Sequence, residues 1–185
     1  MMTVTLLDDV RNERWDAVGA GVALLEDPED QAWLLAELCF HGQTSLVRAL
    51  LDRGANPNLR YPGAVDSLLA FDLEPGTTAV GQTILGAAWR GHVTLPTLEV
   101  LLAAGADPDG HTFSGYTPVQ LAVALDRREW AAVLLRCGAD PYRPSTDLDR
   151  RTAFDIAEGV AWAEALLWDW MKRPATRLVR NRQEL

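Results

Sequence analysis

Three histidines and two cysteines are the residues best able to do chemistry in this chain, and their spacing decides what they can do. Cys39 and His41 are close in sequence, but residues two apart on a helix point in different directions, so they make no nucleophile and base pair. Cys137 stands just before Gly138, at the end of a helical pattern, and reads as structural. His92 follows Gly91 in a turn and His111 lies in a hairpin, so the three histidines are scattered and assemble neither a metal site nor an acid–base pair. The chain has no Gly-rich phosphate loop, no Cys-x-x-Cys pair and no His-Glu-x-x-His run. Glu26, Asp27, Glu29 and Asp30 surround Pro28 without the glycine and terminal glutamate of a calcium loop, and are expected to form a solvated acidic patch. No cofactor and no metal is expected, and an enzyme is not the expected class.

The elements that would position any site follow from one sentence written three times. It reads Leu50-Leu51-Asp52-Arg53-Gly54-Ala55-Asn56-Pro57, then Leu101-Leu102-Ala103-Ala104-Gly105-Ala106-Asp107-Pro108, then Leu134-Leu135-Arg136-Cys137-Gly138-Ala139-Asp140-Pro141. The last two copies are 33 residues apart and the first two 51, one period plus 18. The paired leucines are the buried face of a helix's last turn. The glycine ends that helix in a left-handed conformation, and Asn or Asp before proline turns the chain away. Upstream of the third copy, Gly115-Tyr116-Thr117-Pro118-Val119-Gln120-Leu121-Ala122 reads as a turn, a cap and a short helix. A second helix from about Arg128 to Arg136 buries Trp130, Val133 and Leu134.

These residues resemble the ankyrin-repeat family, in particular its small solitary bacterial-type members. That family's Gly-x-Thr-Pro-Leu-His-x-Ala-Ala, glycine turn, second helix and Gly-Ala-Asp-x-Asn recur here with variations over residues 31–171. The resemblance implies an all-α ankyrin solenoid of about four helix-turn-helix repeats. The first runs from Gln31 to Asn58, the second from Gly81 to Asp109 and the third from Gly115 to Tyr142. A degenerate fourth from Arg151 serves as a closing cap, its inter-helix turn tightened because Leu166-Leu167 come early. Residues 1–30, with Trp15, Val18, Val22, Leu24 and Leu25, form an atypical helical cap, 59–80 are an insertion between repeats one and two, and 172–185 are a basic tail. The family's first-helix histidine is absent from every copy; Gln120 and Asp155 stand there and are expected to take over its hydrogen bonds. By the same resemblance Cys39 is a core thiol and His92 an inter-helix-turn histidine with a hydrogen-bonding role.

The resemblance also implies a concave face for a protein partner, made of hairpin tips and first-helix ends. Mapped here, it takes Phe40 and His41, Trp89 and Arg90, Ala124 and Leu125, with Phe113, Ser114 and Tyr116 at one turn and Leu148, Asp149 and Arg151 at the next. Phe40, Trp89, Phe113 and Tyr116 are expected to form a mostly aromatic strip beside an arginine, the composition of an interface hot spot. The insertion is the second candidate, with Leu68 and Phe71 among the apolar residues between its Pro-Gly pairs.

Charge narrows the partner. The net charge is −9, while Lys172, Arg173, Arg177, Arg180 and Arg182 stand against Glu184 alone at the end, leaving an acidic body. Such a body repels nucleic acid and favours cationic partners, so an unidentified and basic protein is expected, with no nucleic acid and no membrane. A sharper alternative is an inhibitor or immunity-type protein that neutralises a cationic enzyme or toxin. The start, from Met1 to Asp9, has no basic region followed by an apolar core. No stretch approaches the roughly 20 apolar residues of a membrane span, and two cysteines make no disulfide framework. A cytoplasmic monomer is the expectation.

Overall fold

The computed structural model describes residues 4–61 and 76–172. Among them the regular elements are helical: α1 (Val4–Arg11), α2 (Trp15–Val22), α3 (Pro28–Phe40), α4 (Thr44–Asp52), α5 (Ala79–Trp89), α6 (Leu95–Ala103), a 3-10 turn (Phe113–Gly115), α7 (Pro118–Ala124), α8 (Arg128–Arg136), α9 (Ala153–Ala157) and α10 (Ala161–Met171). Arg60 and Thr78 add an isolated antiparallel bridge. None of these helices is long and apolar enough to cross a membrane.

From α3 onward the helices come in pairs stacked in two layers. The first members pack in chain order, α3 on α5 on α7 on α9, and the second members follow, α4 on α6 on α8 on α10; α1 and α2 pack together, and α2 closes on α4. The layers explain the patterns of the two helix types. An inner helix meets a neighbour on several sides, so α3 buries nine consecutive residues, Ala32 to Phe40. An outer helix has one wet side, and Leu50, Leu101, Leu134 and Leu167 recur as its fully buried anchors. Truncating any of them to alanine removes about 2–5 kcal/mol. The second leucine of each motif is less regular: Leu51 and Leu102 are half-buried, and only Leu135 is buried.

The stops repeat in geometry as they do in sequence. Gly54, Gly105 and Gly138 hold φ of 94°, 87° and 95°, where a side chain would be strained. Each following Asn or Asp then accepts from the amide two residues on: Asn58 to Asn56 at 2.9 Å, Asp109 to Asp107 at 3.0 Å and Tyr142 to Asp140 at 2.9 Å. Successive copies are laced together by the residue after the proline. Asn58 accepts from the Asp107 amide at 2.6 Å, and Asp109 accepts from the Asp140 amide at 2.9 Å. Tyr142 occupies the third such position, has no carboxamide or carboxylate, and ends the ladder.

The first turns are capped as the sequence suggests. Thr117 with Gln120 and Thr152 with Asp155 form capping boxes, and Asp27 accepts from the Glu29 amide ahead of Pro28. Gln120 is fully buried and also donates to the carbonyls of Arg143 at 2.8 Å and Arg151 at 2.7 Å. It thereby ties α7 to the loop that leads to α9. Asp155 stays within its own capping box: its carboxylate accepts from both the amide and the hydroxyl of Thr152, each at 2.7 Å.

Several boundaries move. α5 starts at Ala79 with Thr78 as its N-cap, ahead of the expected Gly81, and Thr77 to Val80 are buried and not part of an insertion. The reason is a clamp at the insertion's base, where the Tyr61 amide donates to the Thr77 carbonyl at 2.9 Å and the Gly76 amide to the Tyr61 carbonyl at 2.8 Å. α3 starts at Pro28, inside the stretch assigned to the cap, since proline at N1 has no amide to leave unsatisfied. Leu24, one of the apolar residues of the cap, is 82% exposed just past the end of α2.

Candidate partner-binding surface

The inner helices differ in length but end alike, and the residues at those ends build the surface. α3, α5, α7 and α9 have 13, 11, 7 and 5 residues, while each is followed within two residues by a left-handed turn at Gly42, Gly91, Asp126 or Gly159. The extra residues of the first two therefore lie at their N-terminal ends, and the matching last positions bear Phe40-His41, Trp89-Arg90 and Ala124-Leu125. α5 approaches α3 so closely that a Cβ on Gly86 would overlap the Phe40 carbonyl oxygen.

This approach assembles a ring cluster across three elements. His41 lies 5.1 Å from Trp15 of α2, 5.5 Å from Phe40 and 5.3 Å from His92 in the turn after α5, measured between centroids. Trp89 meets Phe113 edge to face at 5.4 Å, a geometry that contributes about 0.5–1.5 kcal/mol beyond area burial. Phe113 is presented by the 3-10 turn, whose Ser114 and Gly115 both have positive φ, at 55° and 77°. Trp89 remains 39% exposed and Val93 77%, beside exposed Arg90.

The expected aromatic strip is thus partly rearranged. Phe40 is only 4% exposed and belongs to the core, because the last turn of α3 is covered by α5. Trp89 and Phe113 do come together, while His41 is half-buried in a separate contact with Trp15, Phe40 and His92. Tyr116 turns elsewhere: its hydroxyl accepts from Arg151 Nη2 at 2.8 Å, and that guanidinium lies 5.9 Å from its ring centre. It lines a separate polar cleft of about 480 Å3 with Arg60, His111, Arg143, Asp107 and Asp109. Leu125 is half-buried against the core. Leu68 and Phe71, and the tail beyond Lys172, lie outside the described residues.

Electrostatics add a feature outside the sequence expectations. Glu37, one turn before His41, is buried, and burial pushes its carboxyl up to about 7 against an opposing hydrogen bond from Tyr61. His41 is lowered by burial, opposed by Glu13 and assisted by His92 and Arg90. In the cleft, burial raises Asp109 to about 6 despite its bond from the Asp140 amide. Cys39 is fully buried and its thiol is pushed far up, whereas Cys137 is exposed. Among the described residues no group of three or more His, Cys, Asp and Glu side chains is placed to hold a metal ion.

The signal for Glu37 was present: it is the one charged residue in the apolar run Ala32 to Phe40. Trp15 and His92 carried no such signal, because their neighbours in space come from other helices. No protein-family model matches this chain, and no curated protein matches it.

Proposed function

We propose that this chain is an ankyrin-type solenoid whose work is to bind another protein through the strip formed by Trp15, His41, His92, Trp89 and Phe113. The observation that carries this reading is the edge-to-face Trp89–Phe113 pair, held on two different elements and left partly open to solvent. Large, pre-positioned aromatic rings beside an arginine are the groups on which interface energy concentrates. The ankyrin assignment is supported by the thrice-repeated glycine stop, the Asx turns and the ladder of Asn58 and Asp109. The acidic excess of the body supports a cationic protein partner in the cytoplasm, and it disfavours nucleic acid. The insertion, now bounded by the clamp between Tyr61 and Thr77, is the second proposed contributor.

The test is capture of partners from native cells by the wild-type chain and by the double variant Trp89→Ala, Phe113→Ala. A protein retained by the first and lost by the second supports the strip; truncation of a hot-spot pair costs about 2 kcal/mol or more, roughly 30-fold in affinity. Unchanged affinity in a variant that still melts cooperatively rejects it. The same acidity favours a second reading within this class, an inhibitor of a cationic enzyme, in which the captured protein loses its activity on binding.

A further inference from the structure

The polar groups behind the strip form a chain from one candidate contact region to the other. Tyr61, the last described residue before position 62, is 2% exposed and directs its hydroxyl to the Glu37 carboxyl. Glu37 Oε2 lies 4.0 Å from His41 Nε2, while the opposite nitrogen, Nδ1, lies 3.8 Å from Glu13 Oε1. Each imidazole nitrogen therefore has a carboxyl oxygen within about 4 Å, one buried and one solvent-exposed, beyond hydrogen-bond length but close enough for the charge on Glu37 to act on the ring. Glu37 Oε1 has no hydrogen-bond partner within the protein, so the buried carboxyl has capacity to spare.

We propose that Glu37 is a positioning residue for the strip: it joins Tyr61, at the root of the insertion, to His41, in the ring cluster, so that one proton gained or lost at its carboxyl resets the imidazole offered to a partner. This deepens the binding reading given above, and its tests use the free protein, so it can fail while the strip remains the contact surface. Among the described residues the titratable and charged groups facing the pair are Tyr61 on Glu37, and Glu13, His92 and Arg90 on His41. Burial holds Glu37 protonated up to about 7 and keeps His41 neutral there, so the change falls in the neutral range. The sign is fixed by linkage: the folded carboxyl binds its proton more tightly than the unfolded one. Its stabilising effect is complete below the ordinary value of 4.5 and is lost as pH rises through about 7.

The experiment is a pH titration of the His41 ring by heteronuclear NMR in the intact chain, with thermal melts alongside. In the wild type the His41 resonances show their own inflection and a second one near pH 7 reporting Glu37. Glu37→Gln removes the second inflection, and its Tm relative to wild type rises between pH 5 and pH 8. Tyr61→Phe keeps the second inflection and moves it upward, because a bond that favours the carboxylate is gone. A merely structural Glu37 would leave the His41 titration unaltered. If His41 titrates with one inflection that neither variant moves, the coupling is overturned, and Tyr61→Phe alone decides the matter even if Glu37→Gln fails to fold.

Discussion

At the scale of single residues, burial sorts groups that look alike in sequence. The two cysteines differ most: Cys39 is enclosed by core side chains, while Cys137 is exposed at the end of α8. A thiol reagent is expected to modify one cysteine in the native state and the second only after denaturation; two fast-reacting thiols would contradict the packing of α3. Among the described residues Gly86 is the glycine with the least room. Gly86→Ala forces α5 away from the Phe40 backbone, so a loss of about 1–3 kcal/mol or more is expected in chemical denaturation. The same change at Gly54, where a Cβ would meet nothing, strains only the backbone, at φ 94°.

The laced stops are the elements that distinguish design from coincidence. Asn58 and Asp109 perform the same task in consecutive copies, so a carboxamide suffices for it. Asp109→Asn therefore keeps the acceptor while discarding a carboxyl that burial raises to about 6 from 3.8. The folded group binds its proton more tightly, so its contribution is lost as pH rises from about 4 to about 6. Melts of Asp109→Asn against wild type are expected to show a Tm difference growing in the variant's favour across that window. Asp109→Ala loses the bond at every pH and is expected to be less stable than Asp109→Asn throughout. Gln120 makes the corresponding link between α7 and the next loop. Gln120→Ala leaves two carbonyls without their donor, for an expected cost of about 2–4 kcal/mol by urea denaturation.

For the whole molecule, net charge governs how fast a charged partner arrives. With a net charge of −9, association with a cationic partner is expected to slow at least tenfold between low and high ionic strength. Stopped-flow measurement of the on-rate checks this. An on-rate indifferent to salt would place recognition on the aromatic strip alone and remove the argument for a basic partner.

What the sequence determined by itself was local. A left-handed glycine, an Asx-Pro turn and a threonine cap are decided within a few residues, so the three stops and the helix pair of the third copy could be read from the chain alone. Helix lengths beyond the repeat were harder to read: α5 begins before Gly81 because a clamp between Tyr61 and Thr77, made through the chain's return, sets where it starts. Which rings meet was decided only by tertiary structure. Phe40 and Trp89 occupy matching places at the ends of their helices, yet one is core and the other surface, because α5 covers the last turn of α3 and nothing comparable covers the last turn of α5 among the described residues. Burial of Glu37 has the same origin, since a carboxyl's proton affinity depends on what packs around it and not on its neighbours in sequence.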